Sequence, residues 1–175
     1  SFSQIETYCT GDYNDDGIAD FVLALSPGIK IYKGLGANNY VLQDSIFDVF
    51  ADCEIADMNG DGENDIVYKH ITWVCIYSKN ASDSLILAAT LFPGYGFPWQ
   101  KTIKDINSDG LPDVLVSMGS YDTLLYYKNN GNFNFSVQQK MNYQFGDVSC
   151  EDINNDLYPD IVIAFNQYSK IFYNS

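Results

Sequence analysis

Asp12, Asn14, Asp16 and Asp20 occupy positions 1, 3, 5 and 9 of the stretch DYNDDGIAD, and the same spacing returns three more times. The second set is Asp57, Asn59, Asp61 and Asp65; the third is Asp105, Asn107, Asp109 and Asp113; the fourth is Asp152, Asn154, Asp156 and Asp160. Side-chain oxygens at positions 1, 3 and 5 of a tight loop converge on one point, as in the first half of an EF-hand loop. Glycine at position 6 (Gly17, Gly62, Gly110) permits the sharp turn that brings the next carbonyl inward. That carbonyl belongs to Ile18, Glu63, Leu111 or Tyr158, and the Asp at position 9 is expected to close the cage. Three carboxylates, an amide oxygen and a carbonyl suit a hard cation of calcium's size better than magnesium, which gives up its water reluctantly.

One such loop on its own reads as an Asx-rich turn that binds nothing. Four copies with the same donor types, separated by 45, 48 and 47 residues, point instead to one cation site per repeat. Leu157 replaces the glycine in the fourth copy, where a positive φ costs about 1 kcal/mol or more. That site is expected to be the weakest, which gives three to four calcium ions per chain. Filling all four would move the formal charge from −14 to −6. Unoccupied loops repel themselves, so calcium is expected to be structural and to stabilise the folded form by mass action.

The flanks of these loops specify the elements that hold them. Each final Asp leads into a short apolar run: FVLAL, IVYKH, VLVSM or IVIAF. A second run follows a brief turn (IKIYK, WVCIYSK, LLYYKN, KIFYNS), and Gly- or Asn-rich turns precede a third. The runs have strand length and are rich in β-branched and aromatic residues, with no helical periodicity. Each repeat therefore reads as four antiparallel strands, with the acidic loop joining the first to the second. The approximate repeat boundaries are 1–47, 48–94, 95–141 and 142–175, within a single domain. EF-hands are excluded, because their loops lie between helices and end in a Glu at position 12, where the first loop has Leu23.

Composition narrows the partners. There are nine lysines, no arginine and 23 acidic residues, so a nucleic acid or an anionic membrane surface is disfavoured. No apolar run reaches the roughly 20 residues of a membrane-spanning helix. His70 is the sole histidine and no CxxC spacing exists, which argues against zinc and against a nucleophile–histidine pair. Twelve of the 23 acidic residues are loop ligands, so paired carboxylates for glycoside hydrolysis are the lesser reading and no catalytic residue is assigned. Cys9, Cys53, Cys75 and Cys150 are disulfide candidates if the chain is extracellular. Asn80 and Asn134 head N-x-S sequons in expected turns.

The loops with their flanks (DYNDDGIADFVLA, DMNGDGENDIVY, DINSDGLPDVLV, DINNDLYPDIVI) resemble the FG-GAP/VCBS repeat family, which includes the calcium-binding blades of integrin α-subunits, certain fungal lectins and many secreted bacterial adhesion proteins. The resemblance implies a β-propeller with calcium held between the first and second strands of each blade. Family propellers usually have about seven blades, whereas four repeats are near the lower limit for closure. The fourth repeat shows no outer strand, and three outcomes stay open: a ring closed by a short final blade, completion by another chain, or membership of a longer protein. In a closed ring Cys9 and Cys150 would be neighbours, while Cys53 and Cys75 would lie on strands that are not adjacent.

The function expected is that of a non-enzymatic, extracellular, secreted or cell-surface recognition or adhesion module for a glycan or a protein. Tyr95, Phe97, Trp73 and Trp99 are the aromatic candidates for contact, and FPGYGFPW is the most unusual segment. The alternative is a structural subunit that assembles with copies of itself through the incomplete blade.

Overall fold

The computed structural model describes residues 5–25, 28–47, 50–91, 94, 96–119, 122–142, 146–165 and 168–174. Fifteen strands and no helix occur among them, so no helix there is long and apolar enough to cross a membrane. They form four antiparallel sheets in simple up-and-down order. The first comprises β1 (Ile5–Gly11), β2 (Asp20–Leu25), β3 (Gly28–Gly34) and β4 (Tyr40–Ile46); the second, β5 (Phe50–Ala56), β6 (Asp65–His70), β7 (Val74–Lys79) and β8 (Leu85–Leu91). The third comprises β9 (Pro98–Lys104), β10 (Asp113–Met118), β11 (Thr123–Asn129) and β12 (Phe135–Asn142). The fourth has three strands only, β13 (Asp147–Glu151), β14 (Asp160–Phe165) and β15 (Tyr168–Phe172).

In each sheet the acidic nine-residue stretch links the first strand to the second. Its last Asp opens the second strand, which fixes the loop to the most apolar strand of the sheet. The outer strands share a further device. Pairing slips by one residue opposite Ile31/Tyr32, Ile76/Tyr77 and Tyr126/Tyr127, so β4, β8 and β12 each carry a bulge at the equivalent point. A bulge bends and twists an edge strand, which hinders pairing with a stranger.

The chain divides into two compact units, Ser1–Asp57 with Asp61–Leu91, and Met58–Gly60 with Phe92–Ser175. The core of the first unit joins Val22, Ala24, Ile29 and Ile31 to Ile66, Tyr68, Cys53 and Cys75, with Tyr13 from the first acidic loop. Ile29 and Ile31 are fully buried, each worth about 1.5–3 kcal/mol of transfer energy. The core of the second unit joins Ile106, Leu115 and Leu124 to Val148, Cys150 and Ile163.

All four cysteines are free thiols, contrary to the disulfide expectation. Tyr68 pairs with Cys53 on one side and Cys75 on the other, so these two cysteines stand two strand spacings apart, about 9.5 Å, beyond disulfide reach. Cys150 is packed into the apolar core of the second unit and Cys9 lies against that of the first. Burial pushes the Cys150 thiol up to about 11.

Candidate functional site

The first, third and fourth loops fold by a common set of four bonds, two of which recur in the second. In the first, Asp12 Oδ1 accepts from Asp16 N (3.1 Å) and Asp12 Oδ2 from Gly17 N (2.7 Å). Asn14 Oδ1 also accepts from Asp16 N (3.2 Å), and Asp16 Oδ1 from Ile18 N (2.9 Å). The third loop repeats all four with Asp105, Asn107 and Asp109 accepting from Asp109, Gly110 and Leu111, at 2.8–3.1 Å. The fourth repeats them with Asp152, Asn154 and Asp156 accepting from Asp156, Leu157 and Tyr158, at 2.8–3.1 Å. In the second, Gly62 N donates to Asp57 Oδ2 and Glu63 N to Asp61 Oδ1, both at 2.8 Å. Asn59 lies in Met58–Gly60, the part of that stretch that belongs to the second unit, where its carbonyl accepts a long bond from Asn132 N (3.4 Å).

Positive φ at position 6 is present throughout: Gly17 (80°), Gly62 (91°), Gly110 (90°) and Leu157 (76°). The leucine therefore adopts the glycine turn rather than breaking it. Position 4 is left-handed as well, in Asp15, Gly60, Ser108 and Asn155, a feature the sequence reading did not include. Its signal was available, since Asp, Gly and Asn tolerate that region best.

Position 9 behaves differently from the other three. Asp20, Asp65, Asp113 and Asp160 are all buried. Asp20 Oδ2 accepts from Tyr13 N (2.9 Å) and Asn14 Nδ2 (3.1 Å), and its Oδ1 from Gly34 N (2.7 Å) at the end of β3. Asp113 accepts from Ile106 N, Asn107 Nδ2, Tyr126 Oη and Asn129 N, the last at 2.8 Å. Asp160 accepts from Ile153 N (3.1 Å) and Asn174 N (2.9 Å). These carboxylates staple the start of the loop to the end of the third strand. Burial pushes the Asp113 carboxyl above its usual range, and its bonds from Asn129 N, Tyr126 Oη and Ile106 N pull it back only in part. Among the described residues, no group of three or more His, Cys, Asp or Glu side chains is gathered to hold a metal.

The first and third loops draw a cation from the protein itself. Lys33 Nζ lies 2.8 Å from Asp16 Oδ2, and Lys128 Nζ lies 2.8 Å from Asp109 Oδ2. The lysine hydrogen bond holds each of these carboxyls below its usual range. An ammonium at that oxygen shows that the loop field attracts positive charge, and an all-oxygen donor set fits a hard cation rather than a soft one.

Residues 105–163, which run from the third loop into β14, match the FG-GAP-like repeat family. That stretch is thus similar to an FG-GAP-like repeat. The expected resemblance is thereby borne out over the third and fourth loops. A search of curated proteins finds no match to the sequence. Among solved structures, the chain is similar to a crystal structure of BBS1N in complex with ARL6DN, soaked with lead, with a TM-score of 0.66 and 13% identity. The similarity covers 94% of this chain and 51% of that one, so this chain spans about half the length of that structure. Sheets of β-propeller type follow from this likeness.

Of the aromatic candidates, Phe97 and Trp99 are exposed and Trp73 stacks on His70 at 4.8 Å; Tyr95 lies outside the described residues. Phe97 covers Gly119, whose N–H donates to the Phe97 carbonyl (3.0 Å). Asn80 and Asn134 are exposed in the turns that follow β7 and β11.

Proposed function

We propose that this chain is a non-enzymatic, calcium-stabilised recognition module of propeller blades, acting outside the cell or at its surface. The observation that carries this reading is the repeated loop, in which backbone N–H groups hold the position 1, 3 and 5 oxygens in one arrangement. Asp12, Asn14, Asp16 and the Ile18 carbonyl form the first ligand set, with Asp20 backing it from inside the sheet. The equivalent sets are Asp57, Asn59, Asp61 and Glu63 backed by Asp65; Asp105, Asn107, Asp109 and Leu111 backed by Asp113; and Asp152, Asn154, Asp156 and Tyr158 backed by Asp160. The partner is a glycan or an extracellular protein, with Phe97 and Trp99 as exposed aromatic contacts.

Calorimetric titration with calcium, paired with thermal melting in calcium and in chelator, tests this. Three to four ions per chain and a melting temperature that drops on chelation are expected. A protein that binds none, and melts identically in both, is not a calcium module.

A second reading, assembly with copies of itself, is favoured by the fourth sheet. β15 has no outer partner strand among the described residues, and Tyr168 and Tyr173 beside it are exposed. Strand addition at such an edge is a known mode of association. Light scattering across a concentration series separates the two, because only assembly raises the mass.

A further inference from the structure

We infer that Lys33 and Lys128 are built-in counter-cations that set the calcium affinity of the first and third loops. Each holds its loop when calcium is scarce and gives way when calcium is abundant. This rests on the calcium reading above and concerns residues that the repeat motif does not contain.

The two lysines occupy one structural position. Lys33 immediately precedes Gly34, whose N–H reaches Asp20, and Lys128 immediately precedes Asn129, whose N–H reaches Asp113. From there both ammonium groups meet the same oxygen of the position 5 carboxylate at the same 2.8 Å. The other oxygen of that carboxylate is engaged by the backbone of position 7. The lysine thus takes the oxygen that a bound ion would use. The equivalent residue in the fourth sheet is Tyr173, before Asn174, and there Asp156 Oδ2 accepts from Asn154 Nδ2 (2.8 Å) instead. In the second sheet it is Ser78, a short side chain whose hydroxyl turns to the Lys79 carbonyl. The first and third loops therefore carry an internal cation at position 5, whereas the fourth meets its own asparagine there.

An exposed lysine–carboxylate pair is weak and screened by salt, so it competes with a divalent ion without excluding it. Replacing either lysine by methionine keeps the apolar stem and removes the charge. In calorimetric calcium titrations, Lys33→Met and Lys128→Met are each expected to tighten one site about three- to fivefold. Tyr173→Lys is expected to weaken one site by a similar factor. The double methionine variant should melt below the wild type in chelator and level with it in saturating calcium, a convergence that a purely structural lysine would not give. Unchanged affinities in variants that bind calcium overturn the inference and leave the calcium reading standing. Calcium bound by the double variant but not by the wild type supports it. No binding by either sinks the calcium reading and the inference together.

Discussion

The third and fourth acidic loops share one backbone and differ in nearly everything around it. Both make the same four loop bonds, and Gly110 and Leu157 sit at φ of 90° and 76°. Yet β10 is buried along its whole length, while β14 is half-exposed. Ile106 at position 2 of the third loop is buried, whereas its counterpart Ile153 is 42% exposed. Lys128 pairs with the third loop and Tyr173 stands in its place at the fourth. The nine-residue motif therefore carries its own turn: local N–H-to-carboxylate bonds fix the shape, and the packing decides how much that shape stabilises.

The sharpest way to break this comparison is at position 9. Asp113→Ala would strand four donors, and destabilisation of about 3–5 kcal/mol is expected in chemical denaturation. Asp160→Ala strands two donors, so about 2–3 kcal/mol is expected; equal losses would mean that donor count does not set the cost. Exchange at position 6 comes next. A Cβ at Gly110 would meet nothing within 4 Å, so Gly110→Leu is expected to cost about 1–2 kcal/mol through the backbone alone. Leu157→Gly should return somewhat less, about 0.5–1 kcal/mol, because glycine also loosens the unfolded chain. Tyr126→Phe removes one donor to Asp113 and should cost about 1 kcal/mol, with no counterpart in the fourth loop. The smallest effect concerns reactivity. At pH 8 the buried Cys150 thiol, pushed up to about 11, stays neutral in the folded protein and should resist a thiol reagent that labels half-exposed Cys9. Denaturation should expose all four.

The strand order, the position of each loop and the turn at position 6 were legible because they rest on local chemistry: alternation, turn residues and a fixed donor spacing. The backbone bonds that Asp20, Asp113 and Asp160 accept were not, since a carboxylate reads alike whether it faces an ion or the backbone. What decides it is the arrival of Gly34, Asn129 or Asn174 from the far end of the third strand. The lysines were missed for a similar reason: Lys33 and Lys128 meet their aspartates only once β3 and β11 are paired. The disulfide expectation followed from compartment rather than from geometry, and geometry overruled it.

Asn129 and Asn174 do more than close their own sheets. Asn129 Nδ2 donates to the Met58 carbonyl (2.8 Å), 71 residues earlier, and Asn174 Nδ2 to the Ile106 carbonyl (2.7 Å), 68 residues earlier. Each clasp secures position 2 of an acidic loop from the following sheet within the second unit. On a ribosome adding about 5–20 residues per second, the third loop would wait several seconds for Asn174 after Ile106 is made. During that interval its backbone turn can form, but its carbonyl remains unclasped. Maturation of the second and third loops thus lags by one sheet, each being finished by a residue that the cell has yet to synthesise.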